Sequence, residues 1–202
     1  PHAQAQIDAT NPLYATTPLE PAKAWAEMVH RYFAGTLATL ILAIGFISLK
    51  NAQQKRLPKL VPSLLIIMIV FQAMLGMWTV TWKLLPTVVM GHLLGGLTIL
   101  SLLWWLQLSM RTKPHYSLSH RIKPWALLGL ILVATQIALG GWVSSNYAAL
   151  ICPTFPACYG TMTPPMDFHH AFNLIVPIGN NYFGGQLNST ARVTIQMVHR
   201  YG

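Results

Sequence analysis

Residues 27–35 read EMVHRYFAG, and residues 196–202 read QMVHRYG, so the segment MVHRY occurs twice in the chain. In the first copy a glutamate, a histidine and an arginine stand where a long apolar run begins. Ionisable side chains are costly in a bilayer and usually mark a functional position. The two copies therefore predict a duplicated helical unit, with a histidine near one membrane surface in each copy.

The composition of the whole chain is that of a membrane protein. Of its 202 residues, 53 % are hydrophobic and only 8 % are charged, against about a quarter charged in a soluble domain. A helix needs roughly 20 apolar residues to cross a bilayer. We predict an all-α, polytopic membrane helix bundle with helices over about 21–49, 60–82, 87–110 and 124–146. A further helix is predicted from about residue 190, with Ser189 or Thr190 as its N-cap.

Basic residues indicate how these helices are oriented, because they are enriched in short cytoplasmic loops. Two predicted connections are rich in them: Lys50, Lys55, Arg56 and Lys59 lie in the first, and Arg111, Lys113, Arg121 and Lys123 in the second. We place both connections inside, so that residues 1–26 and 147–189 face outward. The net charge of +9 then reflects topology, and we predict no nucleic-acid partner.

A second repeat supports the duplication. QAMLGMW at residues 72–78 and QIALGGW at residues 136–142 share the pattern QxxLGxW, and both lie at the outer end of a helix that runs from inside to outside. We predict a four-plus-four helix architecture, in which residues 1–123 form most of the first half and residues 124–202 begin the second. The chain is then expected to be a fragment that lacks the first helix and the C-terminal helices.

Three histidines are predicted at similar depth near the outer surface: His30, His92 and His199. Imidazoles on two neighbouring helices can bind the two axial positions of a haem iron. A single membrane histidine more often hydrogen-bonds across a helix pair, but the repeated context and the matched depth favour iron ligation here. Arg31 and Arg200 follow two of these histidines at the water-facing end, where a guanidinium would neutralise haem propionates.

Glu27 is the residue whose replacement distinguishes the two copies. It lies one turn before His30 on the same helix face, and Gln196 stands at its position in the second copy. It fits either an ion pair with Arg31, four residues later, or a carboxylate placed over or beside a haem ring. The asymmetry favours chemistry in the first half, and electron transfer or structure in the second.

The segment CPTFPAC places Cys152 and Cys158 in the outward segment, where an oxidising compartment permits a disulfide. A structural disulfide that closes a compact loop is our first interpretation. A redox-active pair that exchanges electrons with a haem site is the alternative, and the spacing does not decide between the two.

The chain resembles the haem A synthase family over essentially all of its length. The resemblance rests on EMVHR, on GHLLGG at residues 91–96, on QxxLGxW, and on CPTFPAC followed by YGTMTPPMD and the second MVHR. It implies an enzyme of eight helices in two four-helix halves, which takes part in the assembly of terminal oxidases. The implied reaction oxidises the C8 methyl group of haem O to a formyl group through successive hydroxylations and yields haem A.

The resemblance also implies roles for individual residues. His30 and His92 would bracket the substrate haem O, and Glu27 would be the catalytic carboxylate, acting electrostatically. His199 would ligate a haem b whose second ligand lies beyond residue 202. The first cysteine loop of the family would precede Pro1.

Partners and location follow from the same resemblance. We expect an integral protein of the bacterial inner membrane or the mitochondrial inner membrane, with its haem sites near the outer face. The expected partners are haem O, the haem O synthase that supplies it, membrane lipid, an electron acceptor and a second copy of the chain.

Three other functions fit part of the pattern. A cytochrome b-type electron carrier would use the same bis-histidine ligation, but it does not call for Glu27 in one copy and Gln196 in the other. A membrane thiol oxidoreductase that uses Cys152 and Cys158 with a quinone would leave the histidine repeat unexplained. A non-enzymatic assembly or transport protein would use the histidines in packing and would bind no chromophore.

Overall fold

A computed structural model describes residues 4–10, 12, 20–55, 59–110 and 120–202. Its helices are α1 (Gln4–Thr10), α2 (Pro21–Lys55), α3 (Leu60–Thr81), α4 (Pro86–Ser109), α5 (Lys123–Ser145), α6 (Phe168–Ala171) and α7 (Ser189–Tyr201). Within the described residues the only strand-like pairing is a bridge between Cys158 and Thr161. Helices α2 to α5 are long and apolar enough to cross a membrane, which confirms the predicted all-α, polytopic membrane protein.

The limits of three predicted membrane helices agree with the structure to within one residue. Pro86 and Pro124 stand in the first turns of α4 and α5, where the missing N–H of proline has no partner to lose. The prediction for the first helix was too short, because α2 continues past residue 49 to Lys55. No glycine or proline follows residue 49 before Pro58, so the backbone stays helical after the apolar run has ended.

The start of α7 differs from the prediction by one residue. The N-cap is Asn188, whose side-chain oxygen accepts a hydrogen bond from the N–H of Ala191 at 2.7 Å. Ser189 and Thr190 were predicted for this position and lie inside the helix instead. Asparagine caps a helix at least as well as serine or threonine, so the residue type alone did not distinguish the three.

The long helices pack in the order in which they follow one another along the chain. α2 packs against α3, α3 against α4, α4 against α5, and α5 against α7, while the short α6 lies on α7. The contact between α4 and α5 joins the two predicted halves. Leucines and isoleucines along the α5 surface remain exposed, as expected for a face that meets lipid.

Two buried clusters hold this arrangement together. One joins α2, α3 and α4, and its members are Ile41, Val61, Leu65, Ile69, Ile99 and Leu106. The other lies where α5, α6 and α7 meet, and its members are Trp142, Val143, Ala148, Ala171, Ala191 and Ile195. In the second cluster the indole N–H of Trp142 donates to the carbonyl of Ala171 at 2.8 Å, which fixes α6 against α5.

The segment between α6 and α7 folds back over the C-terminal end of α3 and the N-terminal end of α4. Tyr182 is buried among Leu75, Leu85 and Val88, and its backbone N–H donates to the carbonyl of Lys83 at 3.0 Å. Because Val88 lies one helical turn before His92, this segment lies next to a candidate site.

Candidate functional site

Two glutamines of the QxxLGxW repeat contact the candidate histidines through the backbone. Gln72 on α3 donates from Nε2 to the carbonyl of His92 on α4 at 2.6 Å. Gln136 on α5 donates from Nε2 to the carbonyl of His199 on α7 at 2.8 Å. The sequence repeat is therefore also a repeat of one contact between neighbouring helices.

A glycine lies four residues after each glutamine, on the same helix face. A Cβ added to Gly76 would lie 3.1 Å from Cε1 of His92, and a Cβ added to Gly140 would lie 3.3 Å from Cε1 of His199. Both distances are shorter than ordinary van der Waals contact. Each imidazole therefore rests on helix backbone that only glycine leaves open.

A further glycine lies three residues after each of these histidines. A Cβ on Gly95 would overlap Oε1 of Gln72, and a Cβ on Gly202 would lie 2.8 Å from Oε1 of Gln136. Each glutamine side chain thus passes over a glycine of the helix that carries the histidine. We call this set a histidine cradle: the first cradle is Gln72, Gly76, His92 and Gly95, and the second cradle is Gln136, Gly140, His199 and Gly202.

The same ring nitrogen is enclosed in both cradles. Nδ1 of His92 and Nδ1 of His199 are buried without a hydrogen-bond partner among the described residues. Nε2 of neither ring is among these enclosed, unpartnered atoms. Nε2 is therefore the nitrogen of each ring that we assign to a ligand.

His30 lies on α2 and His92 on α4. Both helices pack against α3, and a haem site shared by the two rings stays a prediction. The surroundings of His30 differ from those of the other two, because Phe33 stands where the cradles have glycine. Its side chain is exposed, and no described glutamine donates to its carbonyl.

Glu27 forms an ion pair with Arg31, one helical turn along α2. Both side chains are about half exposed, at 50 % and 54 %. At the matched position of the second copy, Oε1 of Gln196 is buried without a partner in the described chain. The charged residue therefore stands at the open position and the neutral residue at the enclosed one.

Arg200 holds the cysteine loop against α7. Cys152 and Cys158 are joined by a disulfide, with their Cα atoms 4.8 Å apart. Nη1 of Arg200 donates to the carbonyls of Thr154, Pro156 and Ala157 at 2.7, 3.2 and 2.9 Å, and Nη2 donates to that of Cys152 at 3.2 Å. The guanidinium predicted to meet haem propionates thus has four backbone acceptors in the loop.

Asp167 caps the short helix α6 above these residues. Its carboxylate accepts from the backbone N–H of His170 at 3.1 Å and contacts Nδ1 of the same histidine at 2.7 Å. The backbone N–H bond and the ring together lower the pKa of the Asp167 carboxyl below its usual value. No group of three or more histidine, cysteine or acidic side chains in the described residues could hold a bare metal ion.

Sequence reasoning identified the histidines but assigned no task to the glutamines beside them. The available indication was the repeat itself, because Gln72 and Gln136 stand at the same position of QxxLGxW. The MVHRY repeat paired His30 with His199, whereas the side-chain environment pairs His92 with His199. Contacts between helices decide that second pairing.

Comparison with known proteins gives a consistent result. A family model described as COX15-CtaA, cytochrome oxidase assembly protein, matches residues 1–202. The chain is 41 % identical to a protein named Heme A synthase from Shewanella oneidensis. The similarity covers the whole chain but only 61 % of the length of that relative. A protein of the same name from Methylobacterium radiotolerans is 38 % identical over 38 % of the chain and 21 % of its own length. No solved structure matches the chain.

Proposed function

Because the chain belongs to the COX15-CtaA family of cytochrome oxidase assembly proteins, we propose that it forms part of a haem A synthase. The activity is that of a membrane oxidoreductase, which converts the C8 methyl group of haem O to a formyl group by successive hydroxylations. The similarity to a Heme A synthase over the full chain supports this proposal, as do the four membrane-length helices. The structural observation that supports it most directly is the pair of similar surroundings of His92 and His199, each with a glutamine of the neighbouring helix bonded to its carbonyl and its Nδ1 atom enclosed.

The residues present fit a haem on two grounds. The glycines at positions 76 and 140 let each imidazole pack directly on helix backbone, where a Cβ would collide with the ring, and Nδ1 but not Nε2 of each ring is among the enclosed, unpartnered atoms. His30 and His92 would hold the substrate haem O, and His199 would hold a resident haem b. The haem b would supply one-electron transfer when bound.

Glu27 is the proposed catalytic residue. It lies one turn before His30 on the same face of α2, and its half-exposed carboxylate can approach a substrate held by that histidine. A carboxylate there stabilises positive charge that develops at the reacting methyl carbon, or orients a water molecule. Arg31 holds this carboxylate in place and is itself open enough to bind a propionate.

Arg200 contributes differently from Arg31. Its four hydrogen bonds to loop carbonyls support a role in holding the cysteine loop against the helix that carries His199. Binding of a propionate by Arg200 stays a prediction.

The cysteine pair is proposed to be structural. Cys158 is fully buried and Cys152 is 7 % exposed, so neither sulfur is accessible to a quinone or to a thiol partner. This burial argues against the thiol oxidoreductase alternative. The pair lies between α5 and α6, in the segment predicted to face outward, and we propose that the haem sites lie near that outer face of a bacterial or mitochondrial inner membrane.

The first experiment identifies the haems in the full-length protein. The protein is expressed with a supply of haem O and purified in detergent, and its haems are extracted and identified by mass. Haem A together with haem O and haem b is the expected result. Haem b alone, with confirmed haem O supply, would support the electron-carrier alternative instead, and protein without haem would contradict both.

In the same experiment, Glu27→Gln should keep its bound haem but form at least about 100-fold less haem A, the order expected when a charge-stabilising group is removed. Glu20→Gln is the matched control, because Glu20 pairs with Lys23 at the start of the same helix and stands outside the proposed site. Wild-type yield from Glu27→Gln would remove Glu27 from the mechanism.

A further inference from the structure

We propose that Gln72 and Gln136 are positioning residues, which orient the imidazoles of His92 and His199 for iron ligation by holding the backbone of each histidine against the preceding long helix. This inference rests on the proposed function, because iron ligation by these histidines is part of it. In this role the glutamines act through the histidine backbone.

The hydrogen bond that each glutamine makes has only one possible direction. A backbone carbonyl can only accept, so the amide NH₂ of the glutamine must face it and the amide oxygen must point away. The oxygen of both glutamines is indeed enclosed without a partner in the described chain. An unpaired buried acceptor is costly, so the glutamine orientation is kept at some expense in stability.

The bond acts on the histidine backbone and leaves the ring nitrogens free. Fixing the carbonyl of His92 or His199 sets the height and rotation of its helix at that residue. The ring is then limited on one side by the glycine of the same cradle, where an added Cβ would lie 3.1 Å from the ring of His92 and 3.3 Å from that of His199. Together the two contacts determine the direction in which the Nε2 atom points.

The two cradles arise from very different chain connections, which argues against coincidence. Gln72 and His92 are 20 residues apart and are joined by a short turn. Gln136 and His199 are 63 residues apart and are separated by the whole outer loop and α6. The same four-residue arrangement is nevertheless formed in both places.

The competing explanation is that the glutamines only join helices. A polar side chain that bonds across a membrane helix pair stabilises that pair modestly, and such a bond need not concern the neighbouring ring. Removing a joining residue would loosen the protein generally. Removing a positioning residue would change one haem and leave the other as it was.

The test uses the full-length protein with both haems bound and compares Gln72→Met with Gln136→Met. Methionine matches the length of glutamine but cannot donate a hydrogen bond. The readouts are the electron paramagnetic resonance g values of each low-spin haem and its midpoint potential. Gln136→Met should shift the values of the second-half haem alone, and Gln72→Met those of the first-half haem alone, so each variant is the control for the other.

The possible outcomes separate this inference from the proposed function. Selective loss of one haem would also support it, because general unfolding would release both. Two haems with g values that neither variant changes would overturn the positioning role and leave the proposed function standing. Wild-type protein that binds no haem would overturn both. If either methionine variant fails to fold, Gly140→Ala gives a second test, since an unmoved second-half signal there would contradict the cradle.

Discussion

Glu27 and Gln196 precede His30 and His199 by the same three residues, but their surroundings differ. The carboxylate of Glu27 is half exposed and paired with Arg31, while Oε1 of Gln196 is enclosed and unpaired within the described residues. A buried carboxylate without a partner is far more costly than a buried amide. The neutral residue therefore suits the enclosed position, and a charge is tolerated only in the first copy.

Asp167 provides a pH-dependent test at the level of one side chain. Its pKa is lower in the folded protein, chiefly because the backbone N–H of His170 donates to it. Its contribution to stability is therefore complete above the ordinary carboxyl pKa and is lost as the pH falls through the lowered value. Wild type should lose more thermal stability than Asp167→Asn between about pH 6 and about pH 3.

The measurement is the unfolding temperature of both proteins across that pH range. His169→Gln serves as the control, because His169 has a titratable ring but makes no hydrogen bond to the Asp167 carboxylate. Parallel pH profiles for wild type and Asp167→Asn would show that the carboxylate does not contribute in this way.

At this scale the sequence predicted contacts between residues close together in the chain better than contacts between distant ones. Glu27 and Arg31 are four residues apart on one helix, so their ion pair was readable from spacing alone. The acceptors of Arg200 lie 43 to 48 residues earlier, in a loop whose path depends on the disulfide and on packing. No local pattern reports such a contact.

At the scale of elements, a single substitution can test how strongly the cysteine loop is held against α7. The fork-shaped guanidinium of Arg200 reaches four carbonyls, and lysine, with one compact ammonium group, cannot. Hydrogen bonds from a charged donor contribute about 1.5–3 kcal/mol each when removed singly. We expect Arg200→Lys to lower the free energy of unfolding by about 1–3 kcal/mol, since lysine keeps part of the contact.

This prediction is measured by thermal or chemical unfolding of the full-length protein in detergent. Arg192→Lys is the matched control, because Arg192 lies two turns earlier on α7 and its Nε atom is buried without a hydrogen-bond partner among the described residues. Equal stability of Arg200→Lys and wild type would mean that the loop is held by its disulfide and by the contacts of Val193 and Met197.

The membrane helices were predictable because a bilayer imposes a minimum apolar length on each of them. The extension of α2 beyond that minimum was not predictable from apolar length, since residues 50–55 are mainly polar and continue the helix outside the apolar run. The tryptophans that end the two copies of QxxLGxW also make different contacts. Trp78 stacks on Trp82 with ring centroids 5.0 Å apart, whereas Trp142 donates to Ala171. A sequence repeat thus predicts that both copies are helical, but it does not predict every contact of their side chains.

For the whole molecule, the distribution of basic residues predicts a topology that can be tested directly. Alkaline phosphatase acquires its disulfides only in an oxidising compartment. Fused after Asn180 of the full-length protein in a bacterial host, it should be active. Fused after Asn51 or His120, at the two basic connections, it should be inactive at equal expression. Activity at His120 and none at Asn180 would reverse the proposed orientation.

The overall arrangement was predicted only in part. Hydropathy predicted the four membrane-length helices of the described residues, because a bilayer sets their minimum apolar length. Their direction, which rests on the basic residues, stays a prediction. The order of packing and the two histidine cradles depend on which helix faces meet. Glycines such as Gly76 and Gly95 indicate that another helix approaches closely, but they do not indicate which one. These residues stand in a visible repeat, yet their contacts are set by tertiary packing that no local pattern specifies.

The histidine cradles also limit how related sequences can be recombined. Each cradle divides its members between two helices, so a crossover between residues 72 and 92, or between residues 136 and 199, would join a glutamine and glycine from one parent to a histidine and glycine from another. A crossover within residues 111–119 would leave both sets intact. Gene shuffling in this family should therefore exchange the two regions as inherited blocks, with the tolerated breakpoint lying between α4 and α5.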